Sequence, residues 1–172
     1  IKTISIENTH LASGGSVVPF DSIKALSNLA RQYDLKLHVD GARIWHAILE
    51  DNNKNYGDYS DSLTFCFSKA LGAPIGSMLL GSKEFIKEAR EFRKKLGGGM
   101  RQVGVIASMA SKALENRECI LEDHAKAKKV YEFLLLNINN EKIESIVYKG
   151  TNMIFINIKS EQDPNKLLDI FY

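Results

Sequence analysis

Two charged residues, Asp40 and Lys69, each follow a short apolar run and lie 29 residues apart in the chain. A lysine amine can hold the aldehyde of pyridoxal phosphate as a Schiff base, and a carboxylate can keep the pyridine nitrogen protonated so that the ring accepts electrons. Taken singly, Lys69 could be a solvent-facing loop charge, and Asp40 could cap a helix that begins near Gly41. The pair together indicates pyridoxal phosphate chemistry, although the spacing by itself identifies no family.

Other polar residues lie near these two. His10 follows the first strand-like run, "IKTISIE", and could take a proton from a substrate hydroxyl, although a histidine that only hydrogen-bonds its loop fits the sequence as well. Arg43 lies three residues after Asp40, and its guanidinium fork suits an amino-acid carboxylate. Ser68, directly before Lys69, could bind a phosphate or only satisfy backbone groups. We interpret His38 and His46 as structural.

The elements that must position these residues follow from hydrophobic periodicity. Strands are predicted in "IKTISIE", "LKLHVD", "SDSLTFCFS", "APIGSMLLG" and the late segment "IESIVYKGTNMIFINI". Helices are predicted after Asp21 as N-cap, from "GARIWHAIL", after Ser82 as cap until the glycines at 97–99, and nearly continuously over 103–137. This alternation predicts an α/β fold with a largely parallel sheet, in which functional groups gather at the carboxyl ends of the strands.

Composition narrows the class of protein. The 172 residues are 44% hydrophobic and 26% charged, enough for one globular domain, and the net charge of +2 is dispersed among acids, which argues against a nucleic-acid surface. The longest apolar runs fall short of the roughly 20 residues that span a bilayer. Cys66 and Cys119 lack metal-ligand spacing, so we predict no metal site and a cytoplasmic location.

Four motifs, in order, resemble the low-specificity L-threonine aldolases: "ENTH" at 7–10, "LHVDGARIWHA" at 37–47, "SKALGAPIGSMLLGSKEFI" at 68–86 and "RKKLGGGMRQVGVIA" at 93–107. The resemblance implies the aspartate-aminotransferase fold (fold type I), pyridoxal phosphate as cofactor, and cleavage of L-threonine or L-allo-threonine to glycine and acetaldehyde. Lys69 then matches the Schiff-base lysine, Asp40 the pyridinium partner and Arg43 the arginine that binds the substrate carboxylate. Arg101 in "GGGMRQ" matches an arginine near the active site, which we assign with Ser68 to cofactor binding.

The same resemblance implies a domain arrangement and an assembly. Residues 1–118 would be the second half of the cofactor-binding large domain, and residues 119–172 a connecting helix and the start of a small C-terminal domain. Family members are homo-oligomers, usually dimers of dimers, so a homo-oligomer with a small amino-acid substrate is expected. The "TNM" around Asn152 also resembles a family segment, which we interpret as architectural. We expect the chain to be an internal fragment, because the family's phosphate loop would lie upstream of Ile1.

Departures from the family pattern keep other functions open. Leu11 stands where the family commonly has Asn, Ala70 where it has Gly, and Trp45 and His46 replace the usual Phe-Asn pair. These changes remove no charged group that the chemistry needs, but they could alter substrate preference. The alternatives are a related β-eliminating lyase that acts on another amino acid, and an inactive fragment that keeps only the fold.

Overall fold

The order of strands and helices agrees with the predicted alternation. The structure is a computed structural model that describes residues 1–51, 54–138 and 142–159. In chain order, its elements are β1 (Thr3–Glu7), α1 (Phe20–Gln32), β2 (Lys36–Gly41), α2 (Ile44–Glu50), β3 (Ser62–Cys66), β4 (Ser77–Gly81), α3 (Lys83–Lys95), α4 (Gly104–Glu115), α5 (Cys119–Asn137), β5 (Ile143–Tyr148) and β6 (Ile154–Ile158). Single 3₁₀ turns cover Leu11–Ser13 and Tyr56–Tyr59.

The main sheet has the order β1-β2-β3-β4, and its first three strands are parallel. β4 pairs antiparallel with β3. Only residues 67–76 separate these two strands, fewer than the dozen or more residues that a crossover to a parallel neighbour requires. The prediction of a largely parallel α/β sheet is therefore confirmed.

The two faces of the sheet differ because successive side chains of a strand point to opposite sides. One face is apolar and buried, and it packs with α1 and α2 in the core. The core formed in this way includes Leu37 and Val39 of β2, Leu63 and Phe65 of β3, Ile23 and Ala30 of α1, and Ile44 and Ala47 of α2. The other face of β2 carries Lys36, His38 and Asp40, so Asp40 lies on the polar side. His38 is structural, since its Nδ1 lies 2.8 Å from Ser62 Oγ on the neighbouring strand.

The start of α1 corrects one prediction. Pro19, not Asp21, is the N-cap, and it forms no side-chain cap. The partly buried ring of Phe20 packs edge-on against Tyr56 and Tyr59, with centroids 5.1 and 5.4 Å away, so this packing brings Phe20 into the helix. Asp21 instead lies in the first turn, where its carboxylate is 3.7 Å from Lys24 Nζ.

The predicted bounds of α3 are confirmed, whereas the long helix after it is interrupted. Ser82 Oγ accepts a hydrogen bond from Phe85 N at 3.2 Å, and Gly97, with a φ of 81°, follows the end of α3. The nearly continuous helix predicted over 103–137 is interrupted once, because residues 116–118 separate α4 from α5. Between them Asn116 N donates to Ala113 O and Arg117 N to Leu114 O, so the bonds change to the tighter i−3 pattern.

The chain divides into two compact units. The first comprises Ile1–His10 and Val17–Leu121, and the second comprises Leu11–Ser16 together with the residues from Glu122 onward. Within the second unit, β5 pairs antiparallel with β6, and Tyr131 of α5 stacks on Tyr148 with centroids 5.0 Å apart. In the part of the chain that the structure describes, no helix is both long and apolar enough to cross a bilayer.

Candidate active site

The carboxyl ends of β1, β2 and β3 lie at one edge of the sheet. In the register of the parallel strands, Glu7 is opposite Asp40, and Asp40 is opposite Thr64. His10 comes three residues after the end of β1 and Lys69 three residues after the end of β3. Both residues therefore leave the sheet at the edge where Asp40 lies, as the sequence predicted for this α/β fold.

Asp40 is fixed by its backbone and by its side chain. Its carbonyl accepts a hydrogen bond from Asn8 N at 2.9 Å, and its Oδ1 accepts one from Ala42 N at 3.1 Å. Gly41 is required next, because a Cβ there would lie 2.5 Å from Thr64 O. The N-cap of α2 is Arg43, so Asp40 does not cap that helix. A carboxylate held on the exposed polar face of the strand can pair with a cationic nitrogen.

Lys69 lies in a turn that is anchored by buried apolar neighbours. Phe67 and Leu71, two residues before and two after it, are both buried, whereas Ser68 and Lys69 are exposed. Phe67 N donates to Gly76 O at 2.9 Å, and Gly72 N donates to Lys69 O at 2.8 Å. Burying a side chain of this size contributes about 1.5–3 kcal/mol, so the turn is held while the amine stays accessible.

Arg43 and Lys69 have no ion pair with any carboxylate in residues 1–51, 54–138 and 142–159. Arg43 is half-buried at the first turn of α2, three residues beyond Asp40. The charges of these two residues are not neutralised by a carboxylate within this part of the chain, and the exposed carboxylate of Asp40 lies near them. An anionic ligand can bind here, with the lysine amine available for an aldehyde and the guanidinium for a carboxylate.

His10 has a partner that the sequence analysis overlooked. Its Nε2 lies 3.7 Å from Glu7 Oε2, and the side chains are 45% and 32% exposed. A carboxylate beside an imidazole can orient the ring. The i, i+3 spacing inside "ENTH" was the signal that could have identified Glu7, but a residue at the end of a strand gives no helical reason to expect contact at that spacing.

Asn8 is a second residue that the sequence analysis missed. It is fully buried, its Oδ1 accepts from Val18 N at 3.1 Å, and its Nδ2 donates to Val18 O at 3.4 Å. Together with its bond to the Asp40 carbonyl, these contacts join the ends of two strands to the start of the segment that leads into α1. Thr9 beside it is also fully buried, and its Oγ1 has no hydrogen-bond partner among the described residues.

Arg101 is not placed at this edge by the strand register. It is exposed, in the turn of residues 101–103 that follows the glycines and precedes α4. Ser68 leaves the sheet with Lys69, and Arg101 belongs to a different segment. The assignment of Arg101 to the cofactor therefore stays a prediction from the resemblance.

A cavity lies away from these residues. Its volume is about 840 Å³, and none of the predicted site residues lines it. Trp45 lines it and packs edge-on against Phe65 at 5.9 Å, with Arg117 6.0 Å from the ring centroid. His46 is buried in α2. Trp45 and His46, two of the four departures from the family pattern, thus serve packing of α2.

A buried phenol, Tyr56, also lines this cavity. Burial raises the pKa of Tyr56 well above its usual value, and its hydrogen bond to Asp51 raises that pKa further. A hydrogen bond from Asn8 acts in the opposite direction. The phenol is therefore protonated at neutral pH and serves as a structural hydrogen-bond donor.

Comparisons with known proteins identify the family of the chain. The model of the beta-eliminating lyase family matches residues 1–159. The low-specificity L-threonine aldolase of Candida albicans is 39% identical over 173 residues, covering 98% of the chain and 44% of the relative. The corresponding protein of Escherichia coli O157:H7 is 40% identical over 163 residues, covering 93% of the chain and 46% of the relative.

The fold itself has solved counterparts. A crystal structure of a Listeria monocytogenes protein superposes with a TM-score of 0.78 at 23% identity, covering 90% of the chain and 43% of that structure. At this identity the likeness shows the fold, which is the fold type I that the motifs implied. The chain spans less than half of the length of the curated relatives it matches.

Proposed function

Because the chain belongs to the beta-eliminating lyase family, we propose that the full-length protein containing it cleaves L-threonine or L-allo-threonine to glycine and acetaldehyde. The observation that carries the proposal is the shared edge of three parallel strands, which bears Asp40 and from which His10 and Lys69 leave. Relatives at 39% and 40% identity with the name low-specificity L-threonine aldolase support it. The family and its fold imply pyridoxal phosphate as the cofactor.

The chemistry of the side chains at this edge fits that cofactor. Lys69 supplies a primary amine for the aldehyde, and Asp40 supplies a carboxylate for the ring nitrogen. Ser68 and Arg101 are proposed to contact the phosphate, since a hydroxyl and a guanidinium are suitable donors. When bound, pyridoxal phosphate accepts the electron pair released as the Cα–Cβ bond breaks.

Arg43 and His10 act on the substrate in this proposal. Arg43 binds the carboxylate of the amino acid through its two-pronged guanidinium. His10 takes the proton of the β-hydroxyl while the Cα–Cβ bond breaks, so that Cβ leaves as the aldehyde carbon of acetaldehyde. Glu7, 3.7 Å from Nε2, orients the imidazole. A proton delivered to Cα completes glycine.

We also propose that the full-length protein is a cytoplasmic homo-oligomer. The first unit exposes apolar side chains between β4 and α4, which monomeric proteins rarely leave uncovered over large areas. They include Met78, Leu80, Phe92, Leu96, Met100, Val105 and Met109. Both cysteines are free thiols, as a reducing cytoplasm would keep them. Light scattering on the purified full-length protein measures the state of assembly, and a monomer at micromolar concentration would contradict the proposal.

The test of the reaction uses three substrates side by side. The purified full-length protein, loaded with pyridoxal phosphate, is assayed for aldehyde release from L-threonine, L-phenylserine and L-serine. We expect acetaldehyde from L-threonine in equal amount to glycine. Ammonia and a keto acid from serine, with no aldehyde from threonine, would instead indicate a lyase of the same family that acts by β-elimination. No turnover of any of the three would overturn the proposed reaction.

A further inference from the structure

The loop of residues Leu11–Ser16, called the 11–16 loop below, directly follows His10 but packs within the second compact unit. This unit also contains the "TNM" segment, to which no step of the proposed reaction assigns a role. The described contacts show that the two features meet, and they give the "TNM" segment a function that its sequence did not reveal.

Thr151 holds the tip of the 11–16 loop. Its side chain is only 1% exposed, and its Oγ1 donates a hydrogen bond to the carbonyl of Gly15 at 3.0 Å across 136 residues of sequence. Gly15 has a φ of 76°, and a Cβ there would lie 2.6 Å from Thr151 Oγ1 and 3.0 Å from Met153 Sδ. The contact is therefore a close backbone fit that excludes any side chain at position 15.

Asn8 fixes the two ends of the segment that contains the 11–16 loop. Its side-chain amide binds both the N–H and the carbonyl of Val18, and its own N–H binds the carbonyl of Asp40. His10 lies two residues beyond Asn8 and one residue before the 11–16 loop. Asn8 thus fixes the chain just before His10, and Thr151 holds the loop that follows His10.

We infer that Thr151 is a positioning residue for His10, acting through Gly15 and the 11–16 loop. Without this bond the loop loses one of the contacts that hold it within the second unit, so the chain that directly follows His10 is held less firmly. This inference rests on the proposed role of His10 as the base for the substrate hydroxyl. Displacement of a catalytic group by about 1 Å can lower a rate by roughly 100-fold, so a hydroxyl far from the chemistry can matter.

The test compares Thr151→Val, which keeps the shape and removes the hydroxyl, with Thr151→Ser, which keeps the hydroxyl, both in the full-length protein. In Thr151→Val we expect faster amide exchange in a peptide covering residues 9–17 and a fall in kcat for L-threonine of about 10- to 100-fold. KM and the absorbance of the bound cofactor should stay nearly unchanged, because Lys69, Asp40 and Arg43 are untouched. Thr151→Ser should restore both quantities.

A double-mutant cycle distinguishes positioning from general destabilisation. In a His10→Asn background, Thr151→Val should lower kcat no further, because the residue it positions is gone. Asn157→Ala is the matched control, since it removes a side-chain bond to Ser145 Oγ in the same unit without touching the loop, and it should leave exchange and kcat unchanged. Gly15→Ala is a second way to disturb the tip, and it should reproduce Thr151→Val even if that variant folds poorly.

Additive effects in the cycle, or unchanged exchange over residues 9–17 in both tip variants, would overturn the inference. A His10→Asn protein with normal kcat would overturn it too, because His10 would then not be the base that Thr151 is proposed to position. Threonine cleavage itself would still be established. Absence of threonine cleavage in the unmutated protein would instead contradict the proposed function, and it would leave amide exchange as the measure of the contact between Thr151 and the loop.

Discussion

The turn that carries Lys69 and the loop that follows His10 leave the same edge of the sheet, but they are held in different ways. The Lys69 turn is anchored by its own neighbours, since Phe67 and Leu71 are buried and Phe67 pairs with Gly76. The 11–16 loop is anchored by Thr151, 136 residues away from Gly15 in sequence. In this proposal, local burial holds the turn of Lys69, whereas a distant residue holds the loop that follows His10.

The largest effect is expected where this difference does not matter, at Lys69 itself. Lys69→Ala should lower threonine cleavage by at least about 10⁴-fold, because no other group supplies the amine. The turn should keep its structure, since its anchors are Phe67 and Leu71. Borohydride reduction and peptide mapping of the unmutated protein should find the cofactor on Lys69. A label on a different lysine would contradict the assignment.

Asp40 lies between the two regions and should affect the reaction through the cofactor. Asp40→Asn keeps the shape and the acceptor for Ala42 N but removes the charge, so turnover should fall by roughly 10²- to 10⁴-fold. Steady-state kinetics measure the loss, and Asp61→Asn, an acid at the opposite end of the strands, is the matched control with near-normal turnover. If Asp40→Asn kept normal turnover, the carboxylate would have only a structural role.

Phe67→Ala breaks the local anchor. Loss of this buried ring, which packs on Phe65 with centroids 4.9 Å apart, should lower the free energy of unfolding by about 3–5 kcal/mol. Tyr33→Ala is the control, because this side chain at the end of α1 is 70% exposed, and the change should stay within about 0.5 kcal/mol. Urea unfolding measures both. Amide exchange should rise over residues 67–76 and not over residues 9–17, which is the reverse of the pattern expected for Thr151→Val. Equal changes in both segments would mean that the two segments are not held by separate anchors.

Arg43→Lys should have a smaller effect. The charge remains but the two-pronged contact is lost, so KM for L-threonine should rise by about 10- to 100-fold while the cofactor content stays the same. Cofactor titration alongside kinetics measures the two quantities. Loss of cofactor with an unchanged KM would mean that Arg43 binds the phosphate instead.

The smallest effect is expected at Asp61, away from both regions. Burial alone would raise the pKa of Asp61, but the backbone bond from Leu37 and the charge of Lys36 lower it on balance. A lowered pKa in the folded state stabilises the fold above the unfolded pKa, and that gain disappears as the pH falls through the folded value. Asp61→Asn should therefore lower Tm slightly at pH 7 and hardly at all near pH 2. A difference independent of pH would exclude the charge as its cause.

The sequence by itself determined the elements and the identities of the chemical groups. The alternation of apolar and polar residues predicts the strands, and Ser82 and the glycines at 97–99 predict the ends of α3. Asp40 and Lys69 follow apolar runs, and the ends of these runs mark the edge of the sheet. These signals lie within a few residues of the feature that they specify. The motifs indicate the family in the same way, because each motif consists of residues that are neighbours in the sequence.

The tertiary structure alone decided which distant residues contact each other. Packing of Phe20 on Tyr56 moved the start of α1 upstream of Asp21, and the break between α4 and α5 lies at Asn116 and Arg117, where no Gly or Pro marks it. The contacts of Asn8 with Val18 and of Thr151 with Gly15 join residues that no period or motif relates. Such pairs form only when the folded sheet and the second unit bring the chain back on itself, since a hydrogen bond between distant residues leaves no local pattern in the sequence.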